Sequence, residues 1–131
     1  MFNPILKVRS YFIAYTGIWC LIAVAHILIL TLFQGFSAGL AFTESIISNL
    51  LLALIGLGLW FPVFFSKLEK ESVTNFILKH LFACLLSVGL WVAVHYTILN
   101  ALFASHTDYK QFLVSSLPWR TGIGVLFYGA I

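Results

Sequence analysis

Residues 42–65 read FTESIISNLLLALIGLGLWFPVFF, a run of 24 positions whose single ionisable side chain is Glu44. A helix needs about 20 mainly apolar residues to cross the hydrocarbon core of a bilayer. This stretch exceeds that length, so it predicts a transmembrane helix. The same pattern recurs on either side of it. Tyr11 to Phe33 and Phe76 to Phe103 are equally long and apolar, and a fourth apolar run begins near Phe112 and is still apolar at Ile131. The fold expected is therefore all-α: a polytopic membrane protein, one transmembrane domain over residues 1–131, built as a four-helix bundle.

The fourth run differs from the others. It contains Pro118 and Arg120, with eleven residues after that arginine. At about 1.5 Å per residue such a tail does not reach the far side of a bilayer. The expectation is a fourth helix truncated at the C-terminus, in a natural sequence that continues past Ile131.

Composition carries the same message. The chain is 62% hydrophobic and 8% charged, whereas soluble domains carry about 25% charged residues. A soluble fold of 131 residues cannot hide so much apolar surface. Seven Lys and Arg against four Asp and Glu give a net charge of +3. They are too few and too scattered for a nucleic-acid footprint, so the expected partners are membrane lipids and not nucleic acid.

The basic residues set the orientation. Lys7 and Arg9 precede the first span, and Lys67, Lys70 and Lys79 lie in or beside the second connection. The first connection, Gln34 to Ala41, holds no Lys or Arg, and the third carries only Lys110. Basic residues favour the cytoplasmic side. The chain is thus expected in the cell (inner) membrane, multi-pass, with N- and C-termini cytoplasmic. Tyr11, Trp60 and Trp119 stand at span borders as interface anchors. Ala23-Val24-Ala25 has the small-x-small form of a signal-peptide cleavage site, but the apolar run continues past it, which favours an uncleaved anchor.

The connections are short. Ser66 to Asn75, SKLEKESVTN, is the only charged run and reads as a solvated turn, with Thr74 or Asn75 available to cap the third helix. Cys20 and Cys84 fall inside apolar spans without metal-binding spacing and read as reduced packing residues. No GxGxxG, P-loop, GxSxG or HExxH motif is present, so no catalytic residue and no metal site are assigned. Gly56 and Gly58 stand mid-helix, where small residues allow close helix packing.

Polar residues within the spans are the informative remainder, because burial in lipid is costly. They are His26, Glu44, Asn49, His95 and Arg120. Counted along their helices, His26 and His95 lie at matched heights, roughly 24 Å from the cytoplasmic ends. Asn49 is close to that level, and Glu44 and Arg120 lie further out. These five form the candidate sensing or ligand cluster, with Glu44 and Arg120 as an ion pair. Two alternatives are open. Glu44 and Arg120 could line the path of a small transporter or channel-like bundle, or His26 and His95 could be the axial ligands of a haem-binding membrane cytochrome. The bland reading is that each polar residue satisfies a local partner between helices.

A resemblance bears on this choice. Glu44-Ser45, then Asn49, Ala53, Gly56 and Trp60, resembles the second membrane helix of LytS-type sensor histidine kinases of the "internal region" group. Asn3-Pro4, Trp19 in the first span, and Tyr109-x-x-Phe112-Leu113 followed by Ser116-Leu117-Pro118-Trp119-Arg120 and Gly122 are also similar to that group. Glu44 stands where the group has Asp, which keeps the charge. The resemblance implies the membrane-embedded sensor and anchor domain of a two-component sensor histidine kinase. It implies a homodimer, a LytTR-type response regulator as partner, and ATP with Mg as cofactors of a cytoplasmic kinase region outside these residues.

Overall fold

The computed structural model describes residues 3–66 and 72–130, and these are helical with no strand among them. Three helices are long and apolar enough to cross a membrane: Arg9–Phe33, Ala38–Phe65 and Val73–Leu102. The chain divides into two compact units, Met1–Leu57 and Gly58–Ile131.

The first unit opens on a short helix, α1 (Pro4–Lys7), followed after an extended Val8 by α2 (Arg9–Leu28). Asn3 caps α1 by accepting from the Ile5 N–H at 2.9 Å. Pro4 sits at the first helical position, where its missing N–H would have had no helical partner anyway. α2 runs on into a π-helical turn, Ile29–Phe33. Gly35 then adopts φ +69°, and the Phe36 N–H returns to the Leu30 carbonyl at 3.1 Å. Only glycine takes that left-handed backbone without a Cβ penalty. Ser37 Oγ, accepting from the Leu40 N–H at 3.4 Å, starts α3 (Ala38–Phe65).

α2 and the first part of α3 run antiparallel, tied side chain to backbone at three levels. Asn3 Nδ2 donates to the Leu57 carbonyl at 2.8 Å, Tyr15 Oη to Ala53 at 2.6 Å, and Ser45 Oγ to Ala23 at 2.8 Å. Eight residues up α2, from Tyr15 to Ala23, match eight residues down α3, from Ala53 to Ser45. The two ties made within α2 therefore share one register.

The second unit holds the end of α3, then α4 (Val73–Leu102), α5 (Thr107–Ser115) and α6 (Leu117–Ala130). Trp60 stacks on Phe64 at 4.7 Å near the end of α3. Pro62 lies inside that helix. Its ring denies a hydrogen bond to the Gly58 carbonyl one turn earlier. α4 packs on α6 at Gly124, where a Cβ would meet Val88 Cγ1 at 3.0 Å and Trp91 Cε3 at 3.4 Å. Tyr109 and Leu113 of α5 are buried, and Tyr109 meets Phe103 edge-on at 4.9 Å. Nearer the start of α4, His80 Nδ1 and Tyr128 Oη are 2.9 Å apart.

Several sequence expectations are adjusted here. The cap of α4 is Ser72, accepting from the Asn75 N–H at 3.3 Å; Thr74 and Asn75 are already inside the helix. The fourth apolar run is not one helix from Phe112 onward. It breaks at Ser116, because Pro118 can serve in the first turn of a new helix but not in the interior of an existing one. α6 has 14 residues, or about 21 Å of helix. Gly56 is buried, whereas Gly58 is exposed and a Cβ there would meet nothing within 4 Å. Gly124 is in close helix contact. Lys67, Lys70 and the rest of residues 67–71 lie outside the described residues, as does Ile131.

Candidate functional site

Two polar stations are defined, one within each unit. In the first, α3 presents Glu44, Ser45 and Asn49 on the side that faces α2. The spacing of four residues between Ser45 and Asn49 places them one above the other on a helix. Asn49 Nδ2 donates to the Ser45 carbonyl at 2.8 Å and lies 3.1 Å from both Ser45 Oγ and His26 Nδ1. Glu44 and Ser45 are fully buried, and Glu44 Oε1 is 3.8 Å from His26 Nε2.

These contacts decide the chemistry of each group. An acceptor-only carbonyl such as that of Ser45 must face the amide nitrogen of Asn49 and not its oxygen. The amide therefore cannot be flipped. His26 Nδ1 in turn must accept from that nitrogen. The ring proton of a neutral His26 then belongs on Nε2, the nitrogen turned toward Glu44. Amide and imidazole are thus hydrogen-bonded, with the Glu44 carboxylate 3.8 Å from the far ring nitrogen, and Ser45 ties the amide end to the α2 backbone.

The second station lies in α4 and α6. Arg120 is buried at 7% exposure and His95 at 0%. Arg120 Nε donates to Ser116 Oγ at 2.7 Å, and its Nη1 to His95 Nε2 at 3.0 Å. Guanidinium is a donor with no acceptor, so His95 Nε2 carries a lone pair and the ring is neutral. Its proton sits on Nδ1 and is donated to the Val92 carbonyl at 3.2 Å. Trp91 stacks on the imidazole at 5.3 Å, and Phe112 lies 5.8 Å beneath the guanidinium carbon. The groups that meet the arginine charge include these two acceptors and an aromatic face, which help to make a buried cation tolerable.

Of the five residues singled out in the sequence, His26, Glu44 and Asn49 come together in the first unit, and His95 with Arg120 in the second. Both histidines use both ring nitrogens, so either would have to surrender a contact to bind a haem iron. Ser45, Ser116, Tyr15 and Asn3 were not singled out as site residues. Two of them carried a legible signal: Ser45–Asn49 and Ser116–Arg120 are both polar pairs four residues apart in apolar runs. Among the proposed anchors, Trp119 is 79% and Tyr11 57% exposed, and Trp60 is half-buried. No protein-family model matches the chain, and comparison with curated proteins and with solved structures finds no match.

Proposed function

We propose that the chain is the membrane-embedded sensor and anchor domain of a two-component sensor histidine kinase. It lies in the cell membrane with both termini cytoplasmic and pairs as a homodimer. It signals to an ATP- and Mg-dependent autokinase region outside these 131 residues, which passes phosphate to a LytTR-type response regulator. One observation carries the reading: the residues that give the sequence its LytS-type resemblance are the ones that tie the helices together. Glu44, Ser45 and Asn49 of the first motif bind α3 to α2 through His26 and Ala23. Ser116 and Arg120 of the second bind α6 to α4 through His95. A passive anchor needs only apolar helices. Burying a carboxylate and a guanidinium in such helices costs stability. Both stations are therefore read as the elements whose rearrangement carries the signal.

The test uses the natural full-length protein in membranes. Incubation with γ-labelled ATP should give an acid-labile, base-stable phosphohistidine. Glu44→Gln should change that labelling about fivefold or more, the lower end of typical coupling between sites, while the amount inserted in membranes is unchanged. Absence of phosphohistidine would sink the kinase assignment. Unchanged labelling in the variant would remove Glu44 from signalling.

A further inference from the structure

The tie between Asn3 and Leu57 does not follow the register of the other two. Tyr15 meets Ala53 and Ala23 meets Ser45. Continued toward the start of α2, that register sets Tyr11 opposite Leu57. The residue found there is Asn3 instead, its Nδ2 donating to the Leu57 carbonyl at 2.8 Å. Asn3 stands eight residues before Tyr11, and a continuous helix would carry it about 12 Å further along the axis. The extended Val8 between α1 and α2 makes the difference. It turns the chain, so that α1 lies across the end of the α2–α3 pair. Arg9 is two residues, about 3 Å, below Tyr11. Residues 3–9 therefore occupy one thin layer at that end of the first span.

What this layer exposes is mixed. Asn3 is buried, but Leu6, Val8, Tyr11 and Phe12 are exposed, and so are Lys7 and Arg9 among them. Neither cation has an ion pair or a side-chain hydrogen bond among the described residues. No acidic residue precedes Glu44 in the sequence, so nothing on α1 or α2 neutralises them. Water alone leaves Leu6 and Phe12 exposed at a cost, and hydrocarbon alone leaves two charges unsolvated. The boundary where acyl chains give way to headgroups meets both needs, and tyrosine is enriched there as well.

We infer that residues 3–9 are an interfacial foot that binds anionic phospholipid, with Leu6 and Val8 at the acyl boundary and Lys7 and Arg9 on lipid phosphates. Charge complementarity selects the partner. A zwitterionic headgroup carries its own cation beside the phosphate, whereas an anionic one leaves the phosphate to the protein. Asn3 holds the foot at headgroup depth through Leu57, where a free tail would leave both cations in water. The inference requires α2 and α3 to lie in a bilayer and is independent of the kinase reading.

The test uses the full chain in phosphatidylcholine vesicles, carrying Leu6→Cys with Cys20→Ala and Cys84→Ala and a polarity-sensitive dye on the single thiol. A small fraction of the lipid bears a nitroxide high on one acyl chain, on phosphatidylglycerol in one arm and on phosphatidylcholine in the other. Dye emission should be that of an interfacial site, and phosphatidylglycerol should quench it at a lower mole fraction than phosphatidylcholine. Lys7→Gln and Arg9→Gln should each raise the phosphatidylglycerol fraction required about fivefold, the equivalent of about 1 kcal/mol per basic residue near an anionic surface. Quenching by phosphatidylcholine should not change. Aqueous emission in the parent chain overturns the proposal. So does equal quenching by the two lipids, or a preference that survives both substitutions. Recovery of emission in millimolar inorganic phosphate would assign the cations to a free anion and overturn it too. Loss of phosphohistidine with the lipid preference intact would count against the sensor reading alone.

Discussion

Arg120 shows how much one buried residue can organise. Ser116, His95 and Phe112 are among its neighbours; they leave the guanidinium hydrogen-bonded and stacked, and they fix the protonation of His95 as a consequence. Hydrogen bonds to charged groups contribute roughly 1.5–3 kcal/mol each, and a buried charge stripped of a partner costs more than the bond itself was worth. His95→Ala should therefore destabilise the protein by about 3 kcal/mol, toward the lower end of the 3–5 expected when a buried charge loses its partner. Unfolding in mild detergent, followed by helical circular dichroism, measures this. A double-mutant cycle between Ser116→Ala and Arg120→Met should return a coupling of at least about 0.5 kcal/mol. Additivity of the two would show that the 2.7 Å contact contributes nothing. In the sequence, Arg120 and His95 were conspicuous as polar residues in apolar runs. Their pairing could not be read there, because 25 residues separate them.

At the scale of elements, the close contact between α4 and α6 depends on Gly124. A Cβ at that position would stand 3.0 Å from Val88 Cγ1 and 3.4 Å from the Trp91 ring, closer than ordinary van der Waals contact on the first count. Gly124→Leu should cost about 1–3 kcal/mol by overpacking. Gly58→Ala, with open space around it, should be neutral or slightly stabilising, since alanine is the better helix former by roughly 1 kcal/mol. The same unfolding measurement separates them, and equal effects at both positions would remove Gly124 from the contact. Gly56 and Gly58 are both small residues mid-helix, yet Gly56 is buried and Gly58 exposed. Which glycine meets another helix depends on which face turns inward, and a nearly uniform apolar helix does not display that. Ser72 gives the opposite lesson. It was passed over as a cap for residues two and three positions later, yet the rule that a hydroxyl precedes the first helical turn applies to it directly.

For the molecule as a whole, the three long apolar helices and the distribution of Lys and Arg lead to a topology that can be tested. A single cysteine at Ser105, between α4 and α5, should react with a membrane-impermeant maleimide added outside intact cells, and one at Glu71 should not. The reverse pattern would invert the orientation. What the sequence determined by itself was the all-helical class and the three long apolar helices: their length and apolarity follow from local composition, because a helix satisfies its own backbone bonds within the segment. It also marked His26, Glu44, Asn49, His95 and Arg120, since polar side chains in apolar runs stand out at any resolution of reading. The tertiary structure alone decided who meets whom. The Asn49–His26–Glu44 cluster, the Arg120–His95 bond and the break at Ser116 arise from packing angles and register. Those are set by side-chain contacts between segments distant in sequence, and hydrophobicity along a single helix holds no record of them.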